Sequence, residues 1–305
     1  MTERDLTGRT VLVTGGSGFI GGRLVARLEE AGATVHVISR RPRAEDGAVR
    51  WHRANLEEID DIRRAVSSVL PDVVFHLAGD THAARRLELV LPTFRINLLG
   101  TVNVLTATAE ACPGARVVLA GSLEEPMSGE ERVSSPYAAS KIGARAYARL
   151  FGETMGLAVG VLRVFMVYGP GQRDLQKLVP YVILSLLRGE PPRLTSGLRE
   201  VDWIYVDDVV DAFVASATTD VVVSADVGTG EAVSIRTLVN RLVEIVESPL
   251  EPEFGSMPDR PFEQVRIADV DAAESALGWR SKIPLGEGLR RTVAWYREEI
   301  ELGRL

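Results

Sequence analysis

The segment TVLVTGGSGFIGG, residues 10–22, limits what this chain can fold into more than any other stretch. A β-branched run passes directly into glycines, and an apolar helical pattern from Phe19 to Ala31 follows them. The spacing reads as Gly16-x-Gly18-x-x-Gly21 and, overlapping it, as Gly15-x-x-Gly18-x-x-Gly21. Such a turn needs a tight bend, close approach of backbone N–H groups to an anion, and helix packing with no side chain in the way. By itself the pattern is weak. Placed between a strand and a helix at the head of an alternating chain, it predicts a pyrophosphate held at the helix N-terminus, and hence dinucleotide binding.

The alternation continues with TVHVIS, a helix over 57–70, DVVFHLAG, a helix over 96–111, ARVVLAGS, a helix over 136–155 and AVGVLRVF. Apolar strands without strict alternation, separated by helices, predict a parallel sheet covered on both faces, a doubly wound α/β fold. After Tyr168 glycine and proline cluster in YGPGQ and RGEPPRL, and the helices over 234–247 and 285–299 are irregularly spaced. Residues 1–167, with elements of the middle region returning to them, therefore read as a dinucleotide-binding lobe and 168–305 as mainly a smaller α/β substrate lobe, with a cleft expected between them.

Composition excludes some classes. A net charge of −7 does not suit a chain that neutralises polynucleotide phosphates, so no nucleic-acid partner is expected. One cysteine, Cys112, forms no internal disulfide, and four scattered histidines suggest no metal site. The polar start MTERDLTGRT and the lack of a span-length apolar run predict a cytoplasmic protein without a membrane partner.

Where an NAD-specific site carries a ribose-binding acid, about twenty residues after the glycines, this chain has Ser39-Arg40-Arg41-Pro42-Arg43. A hydroxyl followed by guanidiniums suits a 2′-phosphate, because arginine offers phosphate oxygens a planar fork. NADP(H) is the preferred cofactor on this reading and NAD(H) the alternative, with the arginines then part of a solvated loop. In SSPYAASK, Pro136 favours a first helical turn, and Tyr137 and Lys141 are spaced to share a helix face. The ammonium is expected to lower the tyrosine pKa toward a range useful for proton transfer. Ser122 ends the preceding strand.

These motifs together resemble the extended short-chain dehydrogenase/reductase family, the NAD-dependent epimerase/dehydratase group acting on nucleotide sugars. TGGSGFIGG, VVFHLAG, INLLGTVNVL, AGS, YAASK, LRVFMVYGPGQ, VDWIYVDDVVDAF and LGWRSKIPLGEGLRRTVAWY carry the likeness nearly end to end. The resemblance implies a Rossmann-type sheet and Tyr137 as acid/base, with Ser122 bonding the reacting oxygen and Lys141 holding the nicotinamide ribose. It places Gly15, Gly18, Phe19, Ile20 and Gly21 on the pyrophosphate and Ser39, Arg40 and Arg41 at the adenosine ribose. Asn55 and Leu56 fall near the adenine, and Leu77, Ala78, Gly79, Asn97 and Val167 along the rest of the cofactor. It also implies a homodimer that pairs the helix after Asn97 with the Tyr-Lys helix.

Departures narrow the reaction. Sugar 4,6-dehydratases carry Thr-Asp-Glu where this chain has Ser122-Leu123-Glu124, and leucine donates no proton. The run GSLEE instead resembles the GSSEEYG of 4-keto-6-deoxysugar reductases. Glu124 reads as a substrate contact, and Glu124 and Glu125 read equally as solvated loop acids. Met166 replaces an asparagine that bonds the substrate diphosphate in relatives, and Val201 replaces an arginine. Arg199, Arg260 and Lys177 are the expected diphosphate contacts, with surface ion pairs as their other reading. The leading expectation is an NADPH-dependent ketoreductase on a nucleotide-linked 4-keto-6-deoxysugar. Its alternative is an NAD-dependent nucleotide-sugar epimerase or dehydratase, and a third reading is a catalytically silent NADP-binding regulator.

Overall fold

The structure is a computed structural model describing residues 6–43, 47–126, 133–219, 224–259 and 265–305. Its strands are β1 (Thr10–Thr14), β2 (Thr34–Ser39), β3 (Arg50–Arg53), β4 (Val73–His76), β5 (Arg116–Ser122), β6 (Ala158–Val164), β7 (Met166–Tyr168), β8 (Arg193–Leu194), β9 (Glu200–Tyr205), β10 (Ser224–Val227), β11 (Ala232–Ser234) and β12 (Glu253–Phe254). By contact the chain divides into two compact units. The first comprises Met1–Val164, Val210–Asp226 and Asp271–Trp279, and the second Phe165–Val209, Val227–Val270 and Arg280–Leu305.

The first unit is built on a seven-stranded sheet of order β10-β6-β5-β4-β1-β2-β3. Parallel pairing links β3 through β2, β1, β4 and β5 to β6. The order reverses beside β1, which is where an open α/β sheet leaves a crevice at its strand ends. Val11, Leu12 and Val13 are fully buried in succession, as expected of a strand covered on both faces. One core cluster joins Leu12, Val74, Leu105, Val117, Phe151 and Val159. Strand β3, RWHR, is absent from the sequence reading because its polar residues lack an apolar signal. It is an edge strand whose residues are only partly covered.

Helix α1 spans Phe19–Glu30 and α2 spans Ile59–Val69. The helix expected over 96–111 begins earlier, running from Leu87 to Ala111. Pro92 stands in the opening turns, where its ring is tolerated. A π-helical stretch, Phe94–Leu99, follows and turns Asn97 inward. By length and mean hydropathy, 1.3, this helix could cross a membrane, contrary to the sequence reading. It instead packs within the unit, burying Asn97, Thr101, Asn103 and Thr108. The Tyr-Lys helix spans Pro136–Glu153, with Pro136 in its first turn and the Ser135 hydroxyl accepting a hydrogen bond from Ala138 N.

In the second unit, β9 lies between β11 and β7, and β12 pairs with β8. Its core gathers Tyr168, Val182, Trp203, Leu238, Leu289 and Tyr296. Asp202, fully buried, accepts hydrogen bonds from Thr229 N and Oγ1, Gly230 N and Ala268 N at 2.7–3.1 Å. Donors converging this way satisfy a buried carboxylate that would otherwise be costly to desolvate.

Candidate active site

The glycine turn closes directly on β4. Gly15 has φ +75°, and a Cβ there would lie 2.6 Å from Ala78 N. A Cβ on Gly21 would lie 2.1 Å from Gly15 O, so helix and turn touch backbone to backbone. Gly18, extended, precedes α1 and supplies no side-chain cap. Phe19, Ile20 and Gly21 thus form a first turn that presents backbone N–H groups, the partial positive charge that suits a pyrophosphate. Leu77 N donates to Thr14 O and Ala78 N to Thr14 Oγ1, at 3.1 and 3.2 Å, fixing the backbone that leads to exposed Gly79. The cradle fits a dinucleotide.

At the end of β2, Ser39 Oγ accepts a hydrogen bond from Arg41 N at 3.3 Å, and Arg40 and Arg41 are exposed. The Arg43 guanidinium stacks on Trp51, 4.7 Å from its ring centre. Asn55 Oδ1 accepts from Glu57 N, and the buried Leu56 gives its carbonyl to Asn103 Nδ2 at 2.8 Å. Asn97 is a buried clamp. Its Nδ2 donates to Asp80 O and Ser140 Oγ, and its Oδ1 accepts from Asp80 N at 2.7 Å. The amide expected along the cofactor thus ties the loop after β4 to the Tyr-Lys helix.

Ser122, Tyr137 and Lys141 come together as expected. Ser122 hydrogen-bonds the Tyr137 phenol, and Lys141 Nζ lies 5.8 Å from the tyrosine ring centre while donating to Ala120 O at 2.7 Å. The expected lowering of the tyrosine pKa does not occur. Burial first, and then the charges of Glu125, Glu124 and Asp80, push the phenol up to about 12, against the opposing Ser122 hydrogen bond. The ammonium is directed at a carbonyl, and desolvation outweighs it. Burial likewise holds Lys141 below the usual ammonium range, with Glu125 opposing. Tyr137 therefore rests as a proton donor.

The two loop acids separate. Glu124 is half-buried and its Oε2 accepts from Ser134 Oγ at 2.8 Å. Glu125 is 2% exposed, which overturns its reading as a solvated acid, and its Oε1 accepts from Ser122 N at 2.8 Å. Leu123 is buried, with its N–H on Val164 O.

His76, given no role in the sequence reading, is the centre of a buried polar chain. Thr101 Oγ1 donates to Asn97 O, so it accepts from His76 Nε2–H at 3.0 Å, and Nδ1 accepts from Thr14 Oγ1 at 2.7 Å. Burial and the Lys141 charge lower the imidazole to about 3, so it stays neutral at neutral pH. The sequence signal was only a histidine at a strand end.

Among the candidates in the second unit, Met166 and Val167 lie on β7, paired with Trp203 and Ile204 of β9. Met166 packs on the apolar core, and Val201 is buried. Lys177 is exposed and 3.8 Å from Asp174. Arg199 is half-buried, its carbonyl accepting from Ile235 N. Arg260 lies outside the described residues.

A cradle for a dinucleotide and a proton-bearing phenol within one Rossmann-type unit define an enzyme of the extended short-chain dehydrogenase/reductase class. The chain belongs to the NAD dependent epimerase/dehydratase family, whose model matches residues 11–227. It is 30% identical to the UDP-glucose 4-epimerase of Mycolicibacterium smegmatis, over 95% of this chain and 99% of that one. The Thermotoga maritima UDP-glucose 4-epimerase, solved with UDP-glucose, superposes with a TM-score of 0.86 at 28% identity, covering 95% of this chain and 99% of that one. The Thermus thermophilus UDP-glucose 4-epimerase, solved with NAD, gives 0.82 at 30% identity, covering 94% and 98%.

Proposed function

We propose that the chain is a nucleotide-sugar 4-epimerase, in which the Ser122–Tyr137–Lys141 group handles the proton of a sugar hydroxyl. A bound nicotinamide dinucleotide supplies the acceptor and donor of hydride. The observation that carries the reading is the phenol hydrogen-bonded to Ser122 beside the Lys141 ammonium, in a family whose relatives above are epimerases. Ser122 orients the sugar oxygen, Tyr137 takes that oxygen's proton in its phenolate form and returns it as the phenol, and Lys141 stabilises the phenolate. Leu123, which donates no proton, argues against 4,6-dehydration. Arg199, Lys177 and Arg260 are proposed for the substrate diphosphate.

The second reading, an NADPH-dependent 4-keto-6-deoxysugar reductase, is favoured by the end of β2, where Arg40 and Arg41 stand exposed beside Ser39. A resting phenol at about 12 serves it as a proton donor. Cofactor content separates the two. An epimerase restores its hydride each cycle, so tightly held NAD(H) in the purified protein supports the first reading. An exchangeable NADPH requirement with net reduction replaces it by the second. Under the second reading, Arg40→Asp weakens NADPH binding by about 1–2 kcal/mol, roughly five- to thirtyfold, with NADH little changed. Equal losses in a fluorescence titration would show that the arginine is surface charge.

The same proposal includes a homodimer. Leu87, Leu91 and Phe94 on the helix Leu87–Ala111, and Tyr147 and Leu150 on the Tyr-Lys helix, are exposed in the first unit. Large apolar side chains left in water on packed helices mark an association surface. Sedimentation equilibrium is expected to give twice the 33.2 kDa chain mass, and Leu91→Asp with Phe94→Asp the mass of one chain. A wild-type monomer at micromolar concentration would remove the dimer from the proposal.

A further inference from the structure

Glu125 is the buried acid that the site described so far leaves without a role. It is 2% exposed, and its Oε1 accepts from Ser122 N at 2.8 Å. A Cβ on Gly121 would lie 2.7 Å from that same oxygen, so the carboxylate is pressed against β5. Glu125 lines a cavity of about 10 Å³ with His76, Thr101, Gly121, Lys141 and Arg145. That volume holds one water, and its polar lining offers such a water several partners.

The groups around Glu125 come from three elements. Lys141 and Arg145 face it from the Tyr-Lys helix, with Arg145 3.9 Å from its Oε2. Arg163 acts on it from β6 and His76 from β4, the latter neutral at working pH. Arg163 is already paired with Asp226 and Arg145 is partly in water, which leaves Lys141 as the enclosed cation of the cavity. Among the described residues its ammonium donates to the Ala120 carbonyl, which carries no full charge.

We propose that Glu125 is a positioning residue of the site, holding Lys141 as an ammonium across the shared cavity and fixing Ser122 through its backbone N–H. The proposal rests on the reading of Tyr137 and Lys141 as the reacting pair. Burial acts against the charge on both partners, so each stabilises the charged form of the other only while both stay enclosed. Removing the carboxylate charge also relieves the phenol of the first carboxylate acting on it, so tyrosine and lysine both deprotonate more readily.

The test needs neither substrate nor cofactor, so its outcome is separate from that of the proposed reaction. The chain has three lysines, Lys141, Lys177 and Lys282. Trace acetylation of the full-length protein with acetic anhydride across pH, read by peptide mass spectrometry, gives each lysine its own titration midpoint. Glu125→Gln keeps an acceptor for Ser122 N and removes the charge. The Lys141 midpoint is expected to fall by about one pH unit, with exposed Lys177 unmoved as the internal reference. A Lys141 midpoint that does not move, in a variant that melts like wild type, overturns the proposal. Should Glu125→Gln fail to fold, Glu125→Asp replaces it. A retained charge must then retain the wild-type midpoint, and a fall of about a full unit there overturns the proposal equally. A purely structural role predicts a lower melting temperature with no change in the Lys141 titration.

Discussion

Tyr137→Phe is expected to lower turnover by about 10²–10⁴-fold while leaving cofactor affinity and melting temperature near wild type. The ring is retained, so the first turn of the Tyr-Lys helix keeps its packing and the Ser135 cap is untouched. What is lost is the hydroxyl that hydrogen-bonds Ser122 and holds a proton to about pH 12. The three acids that act on it are otherwise engaged, Glu124 by Ser134, Glu125 by Ser122 N and Asp80 by His82. Steady-state rates on a nucleotide sugar, with cofactor binding measured alongside, check the expectation. A variant within about threefold of wild type would remove the phenol from the chemistry and favour the silent-regulator reading, because acid–base catalysis is worth far more than that.

Gly21→Ala is expected to produce the largest loss of cofactor binding from a single methyl group. The added carbon would lie 2.1 Å from Gly15 O and 2.7 Å from Gly15 C, both backbone atoms that no rotamer change can clear. Either α1 tilts away from β1 or the turn opens, and both displace the N–H groups of the first helical turn. Overpacking of this kind costs about 1–3 kcal/mol of stability. A comparable loss in the cradle weakens cofactor binding by about 5- to 150-fold. Gly114→Ala, with nothing within 4 Å of the new carbon, is the control expected to do neither. Fluorescence titration with NADH and a melting curve measure the two effects, and unchanged affinity in a folded Gly21→Ala protein would place the pyrophosphate elsewhere.

Much of the first unit is legible in the chain because its physics is local. A β-branched run, a glycine turn and an amphipathic helix announce themselves within a dozen residues, and repetition predicts a parallel sheet. Ser122, Tyr137 and Lys141 are legible for the same reason, each lying at a strand end or in a helix's first turns. Strand β3 escapes because an edge strand needs little apolar surface. The early start of the helix Leu87–Ala111 escapes the expected bounds 96–111, although Pro92 sits in its opening turns, where a helix accepts proline.

The electrostatics of the site belong to another category. Spacing puts a lysine one turn from a tyrosine, and the simple inference is a lowered phenol pKa. The structure gives the opposite sign, because burial and the charges of Glu125, Glu124 and the distant Asp80 outweigh an ammonium aimed at Ala120 O. Glu124 and Glu125 are adjacent and identical in type, yet one is half-exposed and the other enclosed behind Ser122. No property of the dipeptide distinguishes them.

By itself, then, the sequence determined the doubly wound sheet, the glycine turn at its head and the candidate group Ser122, Tyr137 and Lys141, since periodicity, glycine spacing and helix-start chemistry act between near neighbours. Only the tertiary structure decided which acid is buried, which way the lysine points and that His76 stays neutral. Desolvation and Coulomb interactions depend on what surrounds a group in space, and those surroundings come from strands and helices far apart along the chain.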